Sequence, residues 1–285
     1  MKILVTGSKG QLGNEIQSIA KDYLDFEFLF TDIDDLDITN AEQVNEYFKL
    51  NRPDAVINCA AYTAVDKAES DIEMAYRINH LAVENLAKSA SAVNALIVHV
   101  STDYVFDGQS EVPYTESDSA NPQSVYGKSK LAGEQAVNKF ALKGVIIRTS
   151  WLYSAFGANF IKTILRVGSE KKELNVVFDQ VGTPTYAKDL SKAILDIIPQ
   201  ASKQNGVELF NYSNEGVTNW YEFAKTIVSI AGLDCKINPI LSKDYPVSAP
   251  RPNFSVLSKS KIKETYHISI PYWLDSVVDC MARLK

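Results

Sequence analysis

The chain has 285 residues, of which 46% are hydrophobic and 22% charged. That composition suits one large globular domain, or one plus a small lobe, and excludes a disordered or collagen-like chain. Asp and Glu outnumber Lys and Arg by 35 to 29, a net charge of −6 with no basic stripe, so nucleic acid is not an expected partner.

The N-terminus, Met1-Lys2-Ile3-Leu4-Val5-Thr6-Gly7, runs from an apolar segment into a glycine turn and lacks the layout of a signal peptide. Ile3-Leu4-Val5 is the first of five apolar runs, followed by Phe26–Phe30, Ala55-Val56-Ile57, Leu96–Val100 and Val145-Ile146-Ile147. Runs that are apolar at consecutive positions suit strands buried on both faces. Between them lie amphipathic stretches; Ile78, Leu81, Ala82, Leu86 and Ala90 recur at spacings of three and four, one face of a helix. Strand and helix in alternation predict a doubly wound parallel sheet of Rossmann type, covered on both sides. The rhythm weakens after Thr149, where aromatics (Trp151, Tyr153, Phe156, Phe160, then Trp220, Tyr221, Phe223) and prolines (Pro246, Pro250, Pro252) accumulate. A smaller C-terminal α/β lobe is expected over residues 151–285. It is expected to be discontinuous, because Asn175–Phe178 and Val207–Phe210 read as strands that return to the main sheet from within 175–212.

The longest stretch free of Asp, Glu, Lys and Arg, Ser89–Thr102, is 14 residues, short of the roughly 20 that a spanning helix needs. No membrane partner is expected. Cys59, Cys235 and Cys280 are scattered, as are His80, His99 and His267. Neither set has the spacing of a disulfide framework or a metal site, and a reducing cytoplasm is the expected compartment.

Gly7-Ser8-Lys9-Gly10-Gln11-Leu12-Gly13 follows the first strand and opens a helix. Glycines at Gly7, Gly10 and Gly13 let the turn tighten and the backbone approach a pyrophosphate, which the free N–H groups of the helix start then bind. Residues 1–150 are therefore expected to bind NAD(P). Asp32 lies 19 residues after Gly13, at the end of the second strand, where a carboxylate hydrogen-bonds a ribose 2′-hydroxyl and repels a 2′-phosphate. No Arg stands near it in the chain, which leans toward NADH. Lys9 within the loop keeps NADPH open, and Asp34, Asp35 and Asp37 allow a plain solvated turn as the alternative.

Tyr126-Gly127-Lys128-Ser129-Lys130 is a YxxxK that follows an Asn121-Pro122 turn and opens an amphipathic helix. Four residues apart, Tyr126 and Lys130 share a helix face. Thr102 ends the Leu96–Val100 run, 24 residues before Tyr126, and in a doubly wound sheet ligands gather at the carboxyl ends of the strands. Ketone reduction needs a hydride on carbon and a proton on oxygen. A nicotinamide carries the hydride, a tyrosine supplies the proton, a nearby ammonium lowers the phenol's pKa, and a threonine hydroxyl orients the carbonyl oxygen.

Several longer segments are more specific than either motif. They are Asn58–Glu69 (NCAAYTAVDKAE), Ser101–Gly108 (STDYVFDG), Arg148–Tyr153 (RTSWLY), Asp179–Thr185 (DQVGTPT), and Arg251-Pro252 followed by Ser255 and Leu257. On these the chain resembles the extended short-chain dehydrogenase/reductases that act on nucleotide-sugars, over essentially its whole length. The resemblance implies NADPH- or NADH-dependent reduction of the 4-keto group of a dTDP-sugar, for cell-surface polysaccharide synthesis. It implies Thr102, Tyr126 and Lys130 as the catalytic set and Gly10, Gln11 and Leu12 on the cofactor phosphates. It further implies Asp37, Ile38, Ala60, Ala61 and Tyr62 along the adenosine and ribose, Lys130 on the nicotinamide ribose, and Asp103, Tyr104 and Trp151 on the substrate. Some relatives join two subunits through carboxylate-bound magnesium; Glu15 matches one ligand, but Lys188 and Asp189 stand where a second belongs, so magnesium is not expected. A monomer or a homodimer is.

Trp151 has a core position as its plain alternative. Asn159 either binds a diphosphate or caps the helix that begins near Phe160. Arg251, between two prolines, either holds a diphosphate with its fork or is a surface arginine. Asn79 reads as a structural hydrogen-bonder and Cys59 as a small buried residue. Three functions compete: a reductase; a 4,6-dehydratase or epimerase of the same fold; and a non-catalytic cofactor-binding subunit, like the regulatory subunit of methionine adenosyltransferase, which resembles the same family. In dehydratases of the family a Glu follows Thr-Asp, and here Tyr104 stands there, which argues against dehydration.

Overall fold

The computed structural model describes residues 1–284; Lys285, the last residue of the expected lobe, lies outside the described residues. Chain order is β1 (Lys2–Thr6), α1 (Gln11–Ile19), β2 (Glu27–Thr31), α2 (Ala41–Asn51), β3 (Ala55–Asn58), α3 (Val65–Ala68), α4 (Ile72–Tyr76), a π-helical turn (Arg77–Leu81), α5 (Ala82–Ala92), β4 (Leu96–Thr102), α6 (Val125–Phe140) and β5 (Lys143–Thr149). There follow β6 (Leu152–Tyr153), α7 (Phe160–Glu170), β7 (Glu173–Val177), β8 (Val181–Gly182), β9 (Thr185–Tyr186), α8 (Ala187–Ala201), β10 (Gly206–Asn211), β11 (Thr218–Asn219), α9 (Trp220–Ala231), β12 (Lys236–Ile240), α10 (Ser260–Tyr266) and α11 (Trp273–Ala282).

The five apolar runs are the four inner strands and one edge strand, β2, of a six-stranded parallel sheet ordered β10-β5-β4-β3-β1-β2. Because side chains alternate along a strand, Ile3, Val5, Ile57, Val98 and Ile147 face the layer of α1 and α8. Their neighbours Leu4, Val56, Ile97 and Ile146 face the layer of α2, α5 and α6. Both sets are buried, which is why the runs show no polar alternation; each such side chain contributes roughly 1.5–3 kcal/mol. The strand order reverses between β1 and β3, the switch point at which ligands bind in such sheets.

β10 takes the edge beside β5, where Val207–Phe210 was expected. The other expected return needs correction: the Asn175–Phe178 segment belongs to β7, which pairs in parallel with β12 and not with the main sheet. Glu173 and Asn175 are exposed on one face, while Leu174 and Val176 line the other and Val177 is buried at the strand's end, so it has one mainly apolar face and suits a two-stranded ribbon rather than a doubly covered sheet. That face joins the lobe's own core of Tyr153, Ile161, Ile164, Phe223, Ile227, Trp273 and Val277. Among the described residues, no helix is long and apolar enough to cross a membrane.

Candidate active site

Three connected cavities run across the carboxyl ends of β1, β3, β4 and β5. The first, about 580 Å³, is walled by Gly7, Lys9, Gly10, Asp32, Ile33, Leu36, Asp37, Ile38, Thr39, Ala60, Ala61 and Arg77. Through Gly10, Cys59 and Ala61 it opens into a second, of about 850 Å³, that holds Thr102, Tyr126 and Lys130. Past Tyr104, Phe160, Trp220 and Arg251 this opens into a third, of about 450 Å³, between α7, β7 and the Tyr245–Arg251 loop.

The first cavity fits a dinucleotide. Gly10 caps α1 without any side-chain hydrogen bond, which leaves the orphan N–H groups of the first turn for an anion. A Cβ on Gly13 would lie 2.5 Å from the Gly7 carbonyl oxygen and from Ser8 Cα, so only glycine lets the helix start this close to the turn. Asp32 accepts from the Lys9 and Ile33 backbone N–H groups at 2.9 Å each. Lys9 Nζ is drawn to Asp34 at 2.6 Å. Asp37 accepts from the Thr39 N–H and hydroxyl at 2.9 and 2.8 Å. Although no Arg is near Asp32 in the chain, Arg77 stands in the same wall in space, its guanidinium on the Thr39 hydroxyl at 3.0 Å. Tyr62 lines neither this cavity nor the next. Its hydroxyl bonds Asp71 at 3.1 Å, and its backbone is held on both sides by the Asn79 amide at 2.9 and 3.1 Å.

In the central cavity the Ser124 hydroxyl accepts the Gly127 N–H at 3.1 Å and starts α6 two residues before Tyr126, a cap worth about 1 kcal/mol. Tyr126 and Lys130 then share a helix face, and Thr102 faces them from the end of β4. Lys130 is buried, and its ammonium donates to the Val100 carbonyl at 2.6 Å. Burial brings its pKa down to about 8, against the pull of Glu134 and Cys59. The expectation that Lys130 directly lowers the Tyr126 pKa is corrected: burial raises that phenol, a hydrogen bond with Thr102 acts the other way, and Asp103 and Tyr104 raise it further. The Thr102 hydroxyl donates to Asp103 at 3.0 Å and accepts the Tyr104 N–H at 3.2 Å. Asp103 is buried, which lifts its carboxyl to about 6 against hydrogen bonds that lower it.

Trp151 adopts a left-handed backbone, φ 49°, a strain of the sort that collects at functional sites. Its indole stacks on Trp220 with centroids 3.8 Å apart, and Phe160 closes on Trp220 at 4.6 Å. Gly182 leaves the room: a Cβ there would lie 2.8 Å from the Trp151 ring. Asn159 is a cap, accepting the Lys162 N–H at 3.2 Å, while its amide nitrogen bonds Gln11 at 3.1 Å and the Ser154 carbonyl at 2.7 Å. Arg251 pairs with Asp66 and donates to the Tyr104 hydroxyl at 3.2 Å. Trp220, Phe160, Asp66 and Arg77 were not anticipated as site residues; for Trp220 and Phe160 the aromatic-rich segments were the available signal, and for Arg77 there was none.

The residues do not fit the magnesium of some relatives. Fully buried Glu15 gives one oxygen to the Ser154 hydroxyl at 2.7 Å and the other to Arg283 at 2.8 Å. Lys188 pairs with Asp279 at 2.9 Å, and Asp189 is held by Asn214 and Ser276 at 2.7 and 2.5 Å. A guanidinium occupies the position beside Glu15, and among the described residues no cluster of three metal-ligating side chains occurs.

A family model, RmlD substrate binding domain, matches residues 1–285. The dTDP-4-dehydrorhamnose reductase of Sinorhizobium fredii is 39% identical over 283 residues, 97% of this chain and 95% of that protein. A crystal structure of a dTDP-4-dehydrorhamnose reductase from Clostridium acetobutylicum superposes with TM-score 0.95 at 44% identity, covering 100% of this chain and 99% of that one. One from Bacillus anthracis, in complex with NADP, superposes with TM-score 0.94 at 37% identity, covering 99% and 98%.

Proposed function

The chain belongs to the family of the RmlD substrate binding domain, and on that premise we propose that it is a dTDP-4-dehydrorhamnose reductase. It reduces the 4-keto group of dTDP-4-dehydro-L-rhamnose with NADPH or NADH, in the cytoplasm, to supply rhamnose for cell-surface polysaccharide. The observation that carries this reading is the convergence of Thr102, Tyr126 and Lys130 on one cavity that joins a dinucleotide pocket to an aromatic cleft. Residues 1–150, with α8 covering one face of the sheet and β10 added at its edge, are the cofactor domain; the rest of 151–284 supplies the discontinuous substrate lobe.

The nicotinamide, when bound, supplies the hydride to C4. Gly10, Gln11 and Leu12 hold the pyrophosphate. Asp37, Ile38, Ala60 and Ala61 line the adenosine, with Tyr62 acting through the backbone it shares with Asn79. Asp32 favours a free ribose hydroxyl, while Arg77 gives the same pocket a cation, so both cofactors are accommodated. Tyr126 delivers its proton to the C4 oxygen. A phenol raised by burial remains protonated until that oxygen becomes an alkoxide, a far stronger base. Thr102 orients the C4 oxygen when its hydroxyl turns from Asp103 to that oxygen, and the Lys130 ammonium holds the nicotinamide ribose. Trp151 and Trp220 exclude water from the sugar, Asn159 caps the helix beside them, and Arg251 stands on the diphosphate path.

Dehydration is disfavoured because Tyr104 stands where the family's dehydratase acid would be, and burial pushes its phenol up to about 12. The test is NADPH and NADH oxidation with dTDP-4-dehydrorhamnose generated in place. Consumption with a two-hydrogen gain in product mass is expected. Binding without consumption would favour an epimerase or a non-catalytic subunit.

A further inference from the structure

The helix that carries Tyr126 and Lys130 carries a third ionisable group on the same stripe. Glu134 lies one turn beyond Lys130 on α6, is 3% exposed, and has no part in the chemistry above. A buried carboxylate is costly unless fully paired, so its partners carry information. It accepts from the Ser101 hydroxyl at 2.6 Å and from Arg148 Nε and Nη2 at 2.9 and 2.7 Å, the fork-to-fork geometry of a strong pair. Ser101 immediately precedes Thr102 on β4, and the sheet register sets Ser101 opposite Arg148 and Thr102 opposite Thr149. Lys130 grips the same strand one residue earlier, at the Val100 carbonyl. Helix α6 is thus fixed to β4 at Val100 and Ser101, directly before Thr102.

Charge gives the arrangement a second consequence. Lys130 and Arg148 are two cations at 2% and 4% exposure. The other titratable groups facing Lys130 are Tyr126 on its own helix, Cys59 from the end of β3 and His99 from β4. Burial raises the Cys59 thiol and the Tyr126 phenol and lowers the His99 imidazole, so all three are neutral. Among the described residues, Glu134 is the carboxylate that pairs with Arg148 and also acts on Lys130.

We propose that Glu134 is a positioning residue for the reduction: held by Ser101 and Arg148, its carboxylate sets Lys130 against Thr102 and supplies the counter-charge to the Lys130 ammonium. The inference rests on the reductase reading, so its test includes a readout independent of turnover. NADPH affinity, by fluorescence, and kcat are measured against pH for wild type, Glu134→Gln, Glu134→Asp and Lys130→Met, with melting temperatures. The ammonium is lost as pH rises through about 8, so both quantities fall on the alkaline side. Glu134→Gln moves that limb roughly one pH unit lower and regains most of its kcat at acid pH. Glu134→Asp keeps the limb, and Lys130→Met has none. A Glu134→Gln protein that melts lower but keeps the wild-type limb in both readouts overturns the proposal. Should that variant not fold, Ser101→Ala decides: it keeps the charge, loses one hydrogen bond, and is expected to lower kcat ~10-fold with the limb in place, whereas wild-type kcat overturns the positioning. If wild type turns over no dTDP-sugar, the reductase reading fails, and the affinity limb alone still judges the link between Glu134 and Lys130.

Discussion

The two sides of the cavity system are built by different means. On the cofactor and catalytic side, Thr102 and the glycine turn sit at the ends of parallel strands locked in register by their ladders, and Lys130 is tied from α6 to the end of β4. On the substrate side, the wall is made of short two-stranded ribbons, a stacked pair of indoles and an ion pair between Asp66 and Arg251. Backbone fixes the first side; side chains that meet across long stretches of chain fix the second. Chemistry should therefore fail when the first side is altered, while the second should lose affinity or stability with the chemical step preserved.

The largest effect is expected at Tyr126. Tyr126→Phe removes the proton donor without changing volume, and kcat should fall ~10³-fold, while NADPH affinity by fluorescence titration stays near wild type. Turnover like that of wild type would break the comparison at its centre.

Next comes the pin between the chain's two ends. Arg283→Met strands Glu15, a fully buried carboxylate. Stranding a buried charge costs about 3 kcal/mol or more, here at the lower end because Arg283 is partly solvated, and denaturant unfolding should report it. Magnesium or EDTA should leave the wild-type melting temperature unchanged; a rise with magnesium would show that metal displaces the guanidinium.

Trp220→Ala removes the partner of Trp151 and should raise KM for the dTDP-sugar ~10-fold, since a stacked aromatic contributes on the order of 1 kcal/mol beyond its buried area. The split between kcat and KM is the informative part: a fall in kcat with KM preserved would place Trp220 on the catalytic side. The smallest change is expected from Asp66→Asn, which loosens Arg251 but leaves it in place. A partly exposed pair contributes roughly 0.5–1 kcal/mol, so KM should rise about threefold, measurable as a competition series with dTDP.

The same division explains what could be read from the sequence. Strands β1, β3, β4 and β5 were legible because burial on both faces writes itself as consecutive apolar residues. Tyr126 and Lys130 were legible because a helix repeats every four positions or so, and Gly13 because a phosphate turn tolerates little else. The partner of β7 was not, since its alternating pattern states that one face is covered without saying by what. Nothing local marks Trp220 as the companion of Trp151, or Arg283 as the partner of Glu15, 268 residues away. Arg77 lines the first cavity from the start of a π-helical turn, and Tyr62, held at its backbone by Asn79, does not line it. The raised phenol of Tyr126 was hidden for a further reason: Lys130 spends its ammonium on Val100, and burial, a property of the whole fold, dominates.

The reductase reading has NADPH, held at these strand ends, deliver a hydride to C4 of a dTDP-sugar while Tyr126 supplies the proton. It is tested most directly with NADPH deuterated at C4 of the nicotinamide and dTDP-4-dehydrorhamnose, the product sugar being read by mass spectrometry and NMR. The account predicts one deuterium at C4 of dTDP-rhamnose from wild type, formed in step with NADPH loss, and almost none from Tyr126→Phe over the same time. An unlabelled sugar recovered beside intact, enzyme-bound NADPH would contradict it.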